Sequence, residues 1–217
     1  MKNYKNNLAL LSKNHVYSHE MEHDACGVGL IASTEGKKSR AVVEHGIEAL
    51  KAVWHRGAVD ADGKTGDGAG IHLEIPKDFF IEKIQVTGHH HDNSEICVGM
   101  IFLPKNDYSS QENSKTIVES ELTKNDFNIY GWRQVPVNPK VLGEKALQTM
   151  PEIIQVLFKS NNPNLLDKEL ERKIYETRKK IENSANRLSL NNFYVCSMSS
   201  KSIIYKGMFL AEAISDF

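Results

Sequence analysis

The 217 residues, 40% hydrophobic and 25% charged, suffice for one substantial core, because chains above roughly 150 residues bury about 70% of their surface. A formal net charge of −1, with 27 basic and 28 acidic residues spread along the chain, leaves no basic field to gather phosphates and excludes a nucleic-acid partner. No apolar run nears the roughly 20 residues that cross a bilayer and the stretch 8–11 is too short for a secretory signal, so membrane insertion and export are excluded and a cytoplasmic location is expected.

Residues 26–33, CGVGLIAS, place small and β-branched residues ahead of the polar turn STEGKKS, and predict a buried strand opened by Cys26. Within 39–54, Val43, Ile47, Leu50 and Trp54 recur on one helical face, with Ser39 in the N-cap position. The loop HRGAVDADGKTGDGAG follows, then alternation over 71–75 predicts a strand that Pro76 stops. Further strands are expected at 96–103, 127–137, 153–158, 193–199 and 202–205, with helices near 112–124 and 140–149. A long helix over 165–183 carries Leu166, Leu170, Ile174 and Ile181 on one side and a solvated charged face on the other, with Glu169 and Glu176 each four residues before a lysine. The polar stretch 106–114 reads as a surface loop. The chain stops at AEAISDF without a polar tail, as a cut domain or a docked terminal helix would.

Nine of the fourteen glycines fall between Gly27 and Gly70, in GVG, HRG and TGDGAG. Backbone without side chains on both sides of one helix suits tight loops around a small-molecule site. The joint pattern HDACGVGLIA followed by HRGAVDADGKTGDGAGIHLEIP, with Arg56 thirty positions after Cys26, resembles the class II glutamine amidotransferase domain of the glutamate synthase family. Three later segments agree in the same order: VGMIFLP at 98–104, GWRQVPVN at 131–138 and FYVCSMSSKSIIYKGM at 193–208. The resemblance runs from about residue 22 to the end of the chain.

It implies an α+β fold of the N-terminal nucleophile hydrolase type, a four-layer αββα sandwich of antiparallel sheets, here incomplete at its C-terminus. Residues 1–25 become a propeptide and residues 26–217 the front portion of the amidotransferase domain. Cys26 is then the catalytic nucleophile. A thiolate attacking glutamine's side-chain amide replaces one difficult hydrolysis by thioester formation and its breakdown with water. Cleavage before Cys26 would give it an α-amino group of pKa about 7.7–8.0, a base carried by the nucleophile itself. By the same resemblance Arg56 and Gly57 support the substrate site, although Arg56 could instead pair with Asp60, Asp62 or Asp67. Those aspartates read equally well as turn formers.

Glutamine is the implied small-molecule substrate, and the implied partners are the remainder of a glutamate synthase large subunit and a small electron-supplying subunit. FMN and an iron-sulfur cluster are expected in the parent enzyme and no cofactor in this chain. The family's oxyanion hole uses an Asn-Gly pair, and no Asn precedes a Gly in these 217 residues. The family's glutamine-binding arginine and aspartate also follow the position of Phe217. A catalytically inactive fragment or an interaction subunit is therefore the competing reading. A metal site at His89, His90, His91 and Asp92 is disfavoured, because adjacent histidines on a strand point to opposite faces; no metal is expected. A protease pairing Cys26 with His45, His55 or His72 lacks any protease motif. Cys97 and Cys196 lie in predicted strands and are expected in the core.

Overall fold

The computed structural model describes residues 2–14, 26–54, 57–92 and 94–217. Apolar segments, alternating where one face is buried and near-continuous where both are, form six strands among the described residues. These are β1 (Ala69–Glu74), β2 (Cys97–Leu103), β3 (Phe127–Gln134), β4 (Glu152–Ser160), β5 (Tyr194–Ser199) and β6 (Ser202–Gly207). Six α-helices accompany them: α1 (Lys2–Asn14), α2 (Arg40–Ala52), α3 (Lys77–Val86), α4 (Tyr108–Lys124), α5 (Glu144–Thr149) and α6 (Asp167–Arg187). Single 3-10 turns occupy Pro139–Val141 and Ala211–Ser215.

All strand pairing is antiparallel. Among the described residues one sheet has four strands in the order β3-β4-β2-β5, and the other pairs β1 with β6. Cys97, Ile101 and Leu103 of β2, with Ile154, Val156 and Phe158 of β4, face Val118 and Leu122 of α4 and Leu170, Ile174 and Ile181 of α6. The intervening residues Val98, Met100 and Leu157 point the other way, toward Ile203 of β6 and Phe80 and Ile84 of α3. Buried Gln155 bridges the sheets: its Oε1 accepts from Arg133 Nη1 at 2.8 Å and its Nε2 donates to Tyr205 Oη at 3.3 Å. Helix α2 packs against β1, where Gly46 sits against Ile71. Two antiparallel sheets packed together, with α4 and α6 behind the larger and α2 against the smaller, agree with the expected α+β sandwich.

Four local expectations need correction. Residues 26–33 form no strand: they pair with neither β1 nor β6, and Val28 and Leu30 are 91% and 89% exposed. Their pattern supplies a strand-compatible backbone, but a strand also requires a partner edge, which local sequence does not encode. The stretch 106–114 is mostly helix, because Asp107 caps α4, accepting from Ser110 N–H at 3.0 Å and Ser110 Oγ at 2.6 Å. Leu166 precedes α6 in its N-cap position and is 51% exposed, so it is absent from the buried face. The face assigned to solvent also contributes contacts: the Glu171 carboxylate accepts from Ser199 Oγ, Ser200 N–H and Ser200 Oγ at 2.7 to 2.9 Å. Ser39 does hold the N-cap position of α2, in extended geometry, but its side chain makes no capping bond.

Candidate active site

The Gly-rich loop after α2 turns back on itself. Gly57 N–H donates to Trp54 O at 3.0 Å, Asp67 N–H to Ala58 O at 3.2 Å, and Val59 bridges Gly66. Gly66 is required by close approach, since a Cβ there would lie 2.7 Å from Phe209 O. This return delivers the chain into β1, whose register with β6 runs from Ala69 opposite Gly207 to Glu74 opposite Ser202. Beside the sheet opens a cleft of about 1380 Å³, larger than the roughly 300–1,000 Å³ usual for a small ligand.

Cys26 and Gly27 line this cleft together with Gly57, Asp67 and His72. Cys26 is a free, exposed thiol. Gly57 lies so close to Asp67 that a Cβ would meet Asp67 Oδ1 at 3.3 Å. Two of the three sequence-derived site residues thus share one cavity; the third, Arg56, lies outside the described residues, as do residues 15–25 of the expected propeptide. The Gly-Asp-Gly context of Asp67 suits a turn or a partner for Arg56, and only the folded loop reveals that Asp67 also faces the cleft. His72 shares the cleft, but no hydrogen bond joins it to Cys26.

The neighbouring acids are engaged elsewhere. Lys145 donates to Asp60 at 2.6 Å and holds that carboxyl below its usual range. The Thr65 hydroxyl, then the backbone N–H groups of Thr65 and Lys64, lower Asp62 further. Neither aspartate is bound to an arginine among the described residues.

The other two cysteines cannot converge on a common centre. Cys97 faces α4 and α6, whereas Cys196 faces β6 across the sheet, and burial pushes both thiols up. An iron-sulfur cluster held by cysteines of this chain therefore does not fit. Among the described residues no three His, Cys, Asp or Glu side chains cluster as metal ligands. His91 is instead bonded to Ser94 O at 3.0 Å, and His89 and His91 pack around Tyr130. No described helix is long and apolar enough to cross a membrane.

Comparison with known proteins agrees with this geometry. The large chain of glutamate synthase [NADPH] from Azospirillum brasilense is 51% identical over 214 residues, which cover 99% of this chain and 14% of the relative, in its N-terminal region. Ferredoxin-dependent glutamate synthase 1 of Arabidopsis thaliana is 39% identical over 90% of this chain and 12% of its own length. The ferredoxin-dependent glutamate synthase of Antithamnion sp. is also 39% identical, over 88% of this chain and 13% of its own length. The chain thus spans about one seventh of such relatives. The family of class-II glutamine amidotransferases matches residues 26–217, beginning at the cysteine that lines the cleft, and the chain belongs to that family.

Proposed function

We propose that this chain supplies the glutaminase step of a glutamate synthase, with Cys26 as the nucleophile after removal of residues 1–25. The observation that carries the reading is the shared cleft: an exposed thiol faces it together with Gly57 and Asp67. The family match begins at the same cysteine.

In this mechanism Cys26 Sγ attacks the side-chain carbonyl carbon of glutamine, and its proton passes to the α-amine of the same residue. Collapse of the tetrahedral adduct expels ammonia, which takes up that proton, and leaves a glutamyl thioester. Water then attacks the thioester, giving glutamate and restoring the thiol. Arg56 and Gly57 support the substrate beside the nucleophile. The ammonia goes on to aminate 2-oxoglutarate, a reductive step that FMN and an iron-sulfur cluster of the parent enzyme would serve. Partners are then the rest of the large subunit and a small electron-supplying subunit, which the name "large chain" of the Azospirillum relative suggests.

The test is Cys26→Ala in the polypeptide as its gene encodes it. Glutamine-dependent turnover should vanish while ammonia-dependent glutamate formation persists, because only the thioester route uses the thiol. Glutamine-dependent turnover surviving in that variant would remove Cys26 from its role. Intact mass of the active protein adds a check, and a fully active species that retains Met1 would remove the α-amine as base.

A further inference from the structure

The walls of the cleft come from segments far apart in the chain, and one small polar cluster joins them. At the tip of the loop 57–68, Asp62 Oδ1 accepts from Lys64 N–H at 2.9 Å and Thr65 N–H at 2.7 Å. Asp62 Oδ2 accepts from Thr65 Oγ1 at 2.6 Å. A hydroxyl that has donated its hydrogen still has lone pairs, and Thr65 Oγ1 accepts from Ala146 N–H of α5 at 3.3 Å. Thr65 is only 2% exposed. The contact is so tight that a Cβ on Gly143 would fall 2.3 Å from Thr65 Oγ1 and 2.4 Å from Asp62 Oδ2. The ion pair from Lys145 to Asp60 adds little, since its lysine is 66% exposed. On either side of this cluster the chain enters the cleft, through Gly57 and Asp67 on one wall and Leu142 and Ala146 on the other.

We propose that Asp62 and Thr65 are positioning residues for glutamine hydrolysis, latching the 57–68 loop onto Gly143 and Ala146 so that Gly57 and Asp67 stand at a fixed distance from Cys26. The proposal rests on the reading of Cys26 as nucleophile. Its physical content is that the loop has few apolar anchors of its own: Val59 is 48% exposed. The polar cluster therefore sets its place. Without the Thr65 hydroxyl, the buried Ala146 N–H loses its acceptor in a place closed to water, and Asp62, itself exposed, loses a donor.

The experiment compares Thr65→Val, which keeps the shape and removes the hydroxyl, with Thr65→Ser, which keeps the hydroxyl, and with Gly143→Ala, which intrudes on the latch. All are made in the polypeptide as its gene encodes it. Because misplacement by about 1 Å can cost about a hundredfold, Thr65→Val and Gly143→Ala should lower kcat/KM for glutamine by roughly ten- to a hundredfold. Both a raised KM and a reduced kcat should contribute, the ammonia-dependent reaction should stay within about twofold, and Thr65→Ser should restore most of the loss. In hydrogen exchange, amides of residues 57–68 should open at least about tenfold faster in Thr65→Val, while those of the β2–β4 pair stay unchanged. Unchanged exchange over 57–68 would overturn the latch, as would an unchanged kcat/KM or a loss shared equally by the ammonia reaction. Absence of Cys26-dependent hydrolysis in the unsubstituted protein would instead overturn the functional reading, with the exchange result still deciding whether the latch holds the loop.

Discussion

Asp92 shows how one carboxylate can organise a loop. Lys159 of β4 donates to it, Ser94 Oγ bonds it at 2.6 Å, and the Tyr130 hydroxyl reaches it at 3.4 Å. The lysine, then Ser94, hold this carboxyl well below the ordinary range, whereas burial raises Tyr130. A carboxyl lowered on folding stabilises the fold above its unfolded value of about 3.9, and that contribution is lost as pH falls further. The gap in urea midpoint between the unsubstituted chain and Asp92→Asn should accordingly be widest near pH 6 and close below about pH 4; a gap independent of pH would discard the account. Its size stays modest, because the Asp92 side chain is 51% exposed. None of this was legible in the run His89 to Asp92, since Lys159 and Tyr130 are distant in sequence. The burial of Cys97 and Cys196 was legible, because each sits in a short strand-like segment with apolar neighbours, Ile96 and Val98 for one, Val195 and Met198 for the other. Cys26 and Gly57 were found through motif resemblance, whereas Thr65 carries no local signal and owes its burial to α5.

At the scale of elements, α6 does more than cover the sheet. Glu171 closes the turn between β5 and β6, and Lys201 N–H and Ser202 N–H in turn donate to Ser199 Oγ at 2.9 and 3.2 Å. These consecutive strands belong to different sheets, so the turn is a hinge point between layers and one carboxylate fixes it. Hydrogen bonds to a charged group contribute about 1.5–3 kcal/mol, so Glu171→Ala should cost about 2 kcal/mol in urea unfolding and Glu171→Gln less. Equal stability in all three proteins would remove the clamp. Most elements were legible from period: β1 to β6 all fall on predicted stretches. Helix α3 was missed although Pro76 precedes it and Asp78 lies in its first turn. Only Phe80 and Ile84 of it are buried, a face too narrow to stand out beside the adjacent Phe79 and Ile81. The opposite error at 26–33 arose because β-pairing is a relation between segments and not a property of one.

At the scale of the molecule, the cleft has a thiol, but the 217 residues contain no Asn followed by Gly, the pair that the family resemblance assigns to a developing oxyanion. Loss of one such donor costs about a hundred- to a thousandfold. The 217 residues alone, trimmed to begin at Cys26, should hence release glutamate from glutamine at a rate indistinguishable from their Cys26→Ala control; robust Cys26-dependent turnover would mean that the hole is built from other groups of this chain. The pairing of β1 with β6 has a further consequence, in time. Contacts between distant segments form late, because the intervening chain must first be closed into a loop. Glu74 meets Ser202 and Ala69 meets Gly207, and synthesis adds roughly 5–20 residues per second. On a ribosome β1 therefore waits on the order of 10 s for its partner, and the wall of the cleft that β1 and β6 build together cannot form until every strand of the four-stranded sheet has been synthesised.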